Sequence, residues 1–375
     1  MSPDPRLAVA MTVEQCWQRV PGGSATYILE LARALAERDD VTVTGISAAH
    51  RDPPRPELAP PVPVRASRLP RYALYRAWNA AGHPRAEGLV PGADVVHATT
   101  WAIPATRKPL VVTVHDVAFL RDPEHFTPRG VRFFTRALDR TRDEAAAVVV
   151  PSEATADDCV AAGIERSRVH VLPHGAPAWS VTPQDVERAR QRFDLPQRYV
   201  LWCGTLEPRK NLGVLLDAFA LVAEADPDVH LVLVGPPGWG EAQPRPQGPW
   251  ASRVHHTGRV AHGDLAALYA AASAFCFPSI WEGFGLPALE AMTMGTPVVT
   301  SRGTSMAEVV GDTGVLVDAQ DPADVAAGLV RALGPEGPEL GAAGRARAAG
   351  YTWAASAEGH VRAYRAAAVP SFPVG

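Results

Sequence analysis

Cysteine is scarce in this chain: four in 375 residues (Cys16, Cys159, Cys203 and Cys276), with no Cys-x-x-Cys pair. Each lies in or near an apolar stretch, so they read as reduced core thiols. Neither a disulfide framework nor a thiolate metal site is signalled. An excess of basic residues is also lacking. The net charge is −4, so no overall field gathers nucleic acid. No apolar run reaches the roughly 18 residues that a membrane-spanning helix needs. The first residues, MSPDPRLAVAMTVEQCWQRV, lack the charged-then-apolar pattern of a secretory leader. The expectation is a cytoplasmic protein, with peripheral contact at the inner membrane face left open. A Gly-x-Gly-x-x-Gly turn with a following acidic residue is missing too, which weighs against a nicotinamide dinucleotide.

What is present is a globular α/β pattern. Hydrophobic residues make up 47% of the chain and charged residues 20%, and the length suits two domains better than one. Short β-branched runs alternate with stretches of helical spacing. Strands are expected at 7–11, 41–46, 95–96, 110–114, 148–150 and 169–172. A second series is expected at 199–203, 230–234, about 254–257, 274–277, 298–300 and 315–317. Helices are expected at 27–35, 129–145 and 212–222, from about 287, and through the Ala-rich end to about 368. Residues 52–70 are rich in proline and read as a loop or excursion. The aromatic run Tyr72, Tyr75, Trp78 suits acceptor access, membrane docking or plain surface packing alike. Residues 173–184 carry three prolines and a glycine, and the domain boundary is read there. The expected domains are 1–174 and 175–352. Parallel sheets covered on both faces follow from the alternation, and such sheets bind ligands at the C-terminal ends of their strands.

Chemistry is therefore sought in the loops after strands. Pro278–Met292 reads PSIWEGFGLPALEAM. Gly283 and Gly285 permit tight turns and close approach of a ligand. Pro287 suits a first helical position, so free amides at the helix start, around Phe284 and Leu286, can receive phosphate. Glu290 falls in the expected first turn, where acidic residues are often only dipole partners. Glu282 sits among Trp, Gly and Phe, where an idle carboxylate would be costly if buried. A second segment, Gly204-Thr-Leu-Glu-Pro-Arg209-Lys210-Asn-Leu, also joins strand to helix. Two cations at a helix start oppose its dipole, a conflict that a bound anion would resolve. His115 lies in Val114-His-Asp-Val117 at the end of an apolar strand, with His97, which closes the 95–96 strand, a competitor for the same region. Gly22 and Gly23 form a weaker signal before the first helix.

Taken together, these residues resemble glycosyltransferase family 4, retaining enzymes of the GT-B fold, and the resemblance spans nearly the whole chain. The most specific element is Glu282, seven residues, Glu290, with Gly-Phe-Gly between. The resemblance implies two Rossmann-like domains with parallel sheets facing across a cleft. It implies a first domain for the acceptor, a second for a nucleotide-sugar donor, and a C-terminal helix, about 353–375, packing back on the first domain. By the same likeness Glu282 contacts the donor sugar and Glu290 the ribose. Lys210 binds the diphosphate, His115 lies by the transferred sugar, and Gly22 and Gly23 lie near donor phosphate and acceptor. One departure is visible. Thr205 stands where many members have Arg, and Arg209 serves as the substitute cation. Gly-Thr-Leu-Glu-Pro-Arg-Lys-Asn with His-Asp-Val-Ala-Phe-Leu is similar to a bacterial subgroup linked to mannosyl or related hexosyl transfer in surface polysaccharides.

The expected activity is hexosyl transfer, mannose favoured, from a nucleotide-diphospho-sugar to a glycan, lipid-linked or small-molecule acceptor. No metal or other cofactor is expected, since the donor is a substrate. The alternatives are a phosphorylase or nucleotide-sugar epimerase on the same fold, or a non-catalytic sugar-nucleotide binder.

Overall fold

The computed structural model of the protein describes residues 6–236 and 245–369. The chain divides into two compact units. One holds the residues up to Gly175 together with those from Thr352 onward; the other holds Ala176–Tyr351.

The first unit is built on β1 (Leu7–Thr12), β2 (Val41–Ser47), β3 (Val64–Ala66), β4 (Val95–Ala98), β5 (Leu110–Thr113), β6 (Ala147–Val150) and β7 (Val169–Val171). The strands run parallel in the order β3-β2-β1-β4-β5-β6-β7. Successive side chains of a strand face opposite ways, and both faces are covered. Val9, Met11, Val95 and Val149 enter one core, whereas Ala10, Val96, Val148 and Val150 enter the other. That is why these strands read as unbroken apolar runs rather than alternating ones. The helices Gly22–Ala36 and Trp353–Ala368 supply Tyr27, Ile28, Leu31, Val361 and Tyr364 to the first of those cores.

The second unit repeats the plan with β8 (Tyr199–Cys203), β9 (His230–Val234), β10 (Val254–Gly258), β11 (Ala274–Phe277), β12 (Val298–Ser301) and β13 (Val315–Val317). Its parallel order is β10-β9-β8-β11-β12-β13. Strand order reverses between β1 and β4 in the first sheet and between β8 and β11 in the second. Each reversal opens a crevice at the carboxyl ends of the two neighbouring strands.

Several local readings need correction. The Pro-rich stretch contains the edge strand β3, which pairs with β2. Helix Pro183–Phe193 begins inside the segment read as a boundary. It is started by Thr182 and Asp185 in a reciprocal capping box. Helices Arg71–Ala80 and His262–Ala271 were not expected from periodicity. Ser152 caps helix Glu153–Ala161 by accepting from Thr155 N.

Candidate donor site

Residues Gly204–Asn211 follow β8, and Pro278–Gly285 follow β11. Because β8 and β11 are neighbours at the reversal point, the two loops emerge side by side. They are bonded together along their length. Ile280 N donates to Arg209 O at 2.9 Å, Arg209 Nη1 donates to Trp281 O at 3.0 Å, and Asn211 Nδ2 donates to Pro278 O at 3.1 Å. Asn211 holds a left-handed conformation (φ 55°), the turn that ends the short 3-10 segment Pro208–Lys210 and starts helix Leu212–Ala225. The two cations thus precede that helix by a turn of their own.

Glu282 is only 8% exposed, as is Lys210. One carboxylate oxygen, Oε1, accepts from Lys210 Nζ. The other, Oε2, lies 2.7 Å from Arg209 Nη1, and Arg209 Nη2 reaches Glu207 Oε1 at 2.8 Å. Burial alone would raise the pKa of Glu282. The charges of Arg209 and Lys210 overrule it and hold the carboxylate at about 2. Lys210 is pulled below its ordinary value by burial and by Arg209, against the opposing charge of Glu282. Its ammonium also lies 4.7 Å from the centroid of the Phe277 ring. The backbone of Glu282 is pinned from below, where Ser305 Oγ donates to its carbonyl at 2.6 Å.

The glycine positions have separate causes. Gly285 caps helix Leu286–Met294 at φ 94°, and a Cβ there would sit 2.6 Å from Met306 Cγ. Pro287 is the second helical residue rather than the first, and Glu290 falls beyond the first turn. Phe284 is buried and packs edge-on against Tyr351 at 5.9 Å, while Leu286 packs on the core of the unit. Gly283 lies between the ion-paired Glu282 and Phe284. Gly204 N is bonded to Val234 O at 2.9 Å, and Gly204 is crowded from an unexpected side. A Cβ on Gly235 would fall 1.8 Å from Gly204 O, so β8 and β9 end in two glycines packed backbone to backbone.

Glu290 has a different environment from Glu282. It accepts from Tyr269 Oη at 3.0 Å. Burial raises it to about 7, although the Tyr269 hydroxyl pulls the other way. Cys203, at the end of β8, is pushed up to about 12 by burial first and by Glu290 next, and Lys210 acts on it in the opposite sense. Cys203 therefore sits within electrostatic reach of both Glu290 and Lys210. Tyr269 and Cys203 carried no sequence signal, since nothing in their spacing separates them from core residues.

His115 belongs to the first unit. Its Nε2–H donates to Thr99 O at 3.0 Å, leaving Nδ1 as the ring's acceptor. The Tyr27 ring meets it edge-on at 4.9 Å. Burial lowers its pKa, so the ring is neutral at pH 7. His97, the competitor, is fully buried with both ring nitrogens taken, by Thr113 Oγ1 and Tyr364 Oη. It has no atom to offer a ligand. Gly22 opens helix Gly22–Ala36 at φ 61° and Gly23 follows within it, so the pair lies inside the helix start rather than before it. The Pro/Gly loop 235–250 is one of the second-unit loops from which the sequence leads one to expect donor-base contacts, and its residues 237–244 lie outside the described residues.

A family model described as Glycosyltransferase Family 4 matches residues 21–178, and one described as Glycosyl transferases group 1 matches residues 197–334. The chain is 31% identical over 281 residues to O-antigen chain mannosyltransferase B of Escherichia coli, covering 72% of this chain and 74% of that protein. It is 31% identical over 390 residues to D-inositol 3-phosphate glycosyltransferase of Thermobifida fusca, covering 92% and 88%. Among solved structures it resembles Anabaena HepE in complex with UDP and glucose, with TM-score 0.69, 20% identity, and 95% and 99% of the two chains covered. It also resembles a sucrose-phosphate synthase from Thermosynechococcus elongatus, with TM-score 0.73, 23% identity, and 96% and 98% covered. The structural likenesses establish the fold.

Proposed function

Because the chain belongs to glycosyltransferase family 4 and has the GT-B fold, we propose that it is a retaining hexosyltransferase whose donor is a nucleotide-diphospho-sugar held on the second unit. The observation that carries this reading is the joining of the 204–211 and 278–285 loops at the β8/β11 reversal. That joining concentrates Arg209, Lys210, Glu282 and the start of helix Leu286–Met294 in one place. Arg209, Lys210 and the helix-start amides receive the diphosphate. Their charge stabilises it as it departs, a role that asks for no divalent metal. Glu290 accepts from ribose hydroxyls. Glu282, fixed by its two cations, and the neutral His115 orient the hexose. The acceptor hydroxyl approaches from the leaving-group side. Its oxygen bonds to the anomeric carbon as the bond to phosphate breaks, and the proton passes to the departing phosphate oxygen. Configuration is retained.

Mannose is the favoured hexose, since a mannosyltransferase is among the relatives and the Gly-Thr-Leu-Glu-Pro-Arg-Lys-Asn segment points the same way. The acceptor is a glycan, a lipid-linked sugar or a small polyol, at a cytoplasmic site. No helix among the described residues is long and apolar enough to cross a membrane. The test is thermal stabilisation by a panel of nucleoside diphosphates. A preferred ligand at a hundred times its Kd adds about 2.7 kcal/mol by mass action. If no nucleoside diphosphate shifts the melting temperature, the donor assignment is wrong.

A further inference from the structure

The first unit holds a second cluster that no motif announced. β1 and β2 are neighbours that end at Thr12 and Ser47, at the carboxyl edge beside the β1/β4 reversal. A short 3-10 turn, Glu14–Trp17, follows β1 at once. Glu14 is 4% exposed. Its Oε2 accepts from Ala48 N at 2.8 Å and from His50 Nε2–H at 2.9 Å. Its Oε1 is buried and has no hydrogen-bond partner among the described residues. A buried carboxylate oxygen without a donor is an expensive thing to fold around. An uncharged acceptor would serve the Ala48 amide just as well. Glu14 Oε1 therefore calls for a donor that no described residue supplies.

The surroundings indicate which donor. Trp17 stacks on His50 with ring centroids 4.9 Å apart and planes 11° apart, and Trp17 Nε1 donates to Asp52 O at 3.2 Å. Gln18 accepts from Arg71 Nη1. The Tyr75 phenol, raised chiefly by burial, also feels the charges of Glu14 and Arg71. Gln15 Nε2 donates to Pro21 O at 2.8 Å, which ties this turn to the Gly22 helix start. Flat rings beside a carboxylate with a lone unmet oxygen suit a ligand with both C–H faces and hydroxyl donors. We propose that Glu14, His50 and Trp17 form a subsite for a hydroxyl-rich acceptor, one of whose hydroxyls donates to Glu14 Oε1. The assignment rests on the transferase reading for its meaning, though not for its test.

The test is saturation-transfer NMR on the whole protein with methyl α-D-mannopyranoside and with myo-inositol as probes. The wild type should show transfer from at least one of them. Glu14→Gln, which keeps shape and removes charge, should lower it at least fivefold. Trp17→Leu, at a partly buried position, should do the same and covers the case in which the Glu14 variant fails to fold. Lys210→Ala should keep the signal, which separates this subsite from the donor site. Absence of transfer to the wild type from both probes overturns the proposal. So does full transfer to both variants, in which case a trapped water satisfies Glu14. If Glu14-dependent transfer is present but no nucleoside diphosphate stabilises the protein, the subsite stands and the transferase reading falls.

Discussion

Lys210 and Glu282 stand 72 residues apart in sequence and form a buried ion pair, and Arg209 occupies the remaining oxygen of the same carboxylate. The cluster is therefore charge-compensated before any donor arrives. A diphosphate would meet cations already fixed in direction, with part of their field committed to Glu282. Such preorganisation costs no reorganisation at the moment of reaction.

Because the pair is buried, its loss should be felt in stability as well as in turnover. Lys210→Ala leaves Glu282 with Arg209 alone. We predict at least about a hundredfold lower turnover at saturating donor, by analogy with loss of an oxyanion donor. We also predict a stability loss of about 3 kcal/mol, the low end for breaking a buried pair, since one cation remains. The acid limb gives an independent check. Glu282 has a folded value of about 2 against an ordinary 4.5. Its contribution is complete above 4.5 and is lost as pH falls from there towards 2. Urea titrations across that window should show the loss in the wild type and not in Glu282→Gln. Normal turnover by Lys210→Ala would remove that residue from the leaving-group site.

Glu290 predicts the opposite slope near neutrality. Its folded value of about 7 lies above the ordinary 4.5. Its contribution to stability is present below 4.5 and lost as pH rises through 7. In the proposed role, ribose hydroxyls bind the ionised form. Nucleoside-diphosphate affinity measured calorimetrically should therefore rise between pH 6 and 8 more steeply in the wild type than in Glu290→Gln. Tyr269→Phe removes the hydroxyl bonded to Glu290 and should push the rise to higher pH. Parallel profiles for the wild type and Glu290→Gln would place Glu290 outside the nucleotide site.

The strands were legible because burial on both faces demands unbroken β-branched or aromatic runs. Tyr199–Cys203, His230–Val234, Ala274–Phe277 and Val315–Val317 stand where those runs lie. Helices such as Arg71–Ala80 and His262–Ala271 escaped, since the first mixes polar residues with its aromatics and the second is apolar nearly all round. The motif positions in the candidate site were legible as residues but not as partners. Spacing could place Arg209, Lys210 and Glu282 in strand-end loops. Only the adjacency of β8 and β11 makes them neighbours. Glu14 gave no signal at all, because a lone carboxylate in a short turn looks like any surface acid until its burial is known.

Gly235 shows how a residue outside every motif constrains one inside. At φ 145°, with a Cβ 1.8 Å from Gly204 O, it cannot accept a side chain unless the Gly204 loop moves. Gly235→Ala should cost more than the about 1–3 kcal/mol of backbone strain alone and should weaken nucleoside-diphosphate binding together with stability. Chemical denaturation and calorimetry on one preparation would check both. A variant of unchanged stability would mean that the two loops separate easily.

The last prediction concerns the C-terminal helix Trp353–Ala368, which is held by a chain of buried hydrogen bonds whose direction can be worked out. His360 Nδ1–H donates to Ser356 O at 2.7 Å, so in the neutral ring Nε2 accepts from Tyr27 Oη at 2.8 Å. Tyr27 then accepts from Thr113 Oγ1 at 2.7 Å, Thr113 from His97 Nε2–H at 2.7 Å, and His97 Nδ1 from Tyr364 Oη at 2.8 Å. The chain starts and ends on the same helix, and with both histidines neutral each contact has one proton and one acceptor. Burial enforces that state. It brings His360 to about 4 and His97 well below its ordinary 6.5. Histidines depressed in this way contribute stability above 6.5 that is lost as pH falls through the folded values. Amide exchange in residues 353–368 should therefore accelerate between about pH 6.5 and 4. Tyr27→Phe breaks the chain in its middle and leaves His360 Nε2 without its donor, at a cost of about 1–3 kcal/mol. The same acceleration should then be seen already at pH 7.5. If exchange in this helix is independent of pH and untouched by Tyr27→Phe, apolar contacts such as Val361 and Tyr364 in the core hold it, and the hydrogen-bond chain is incidental.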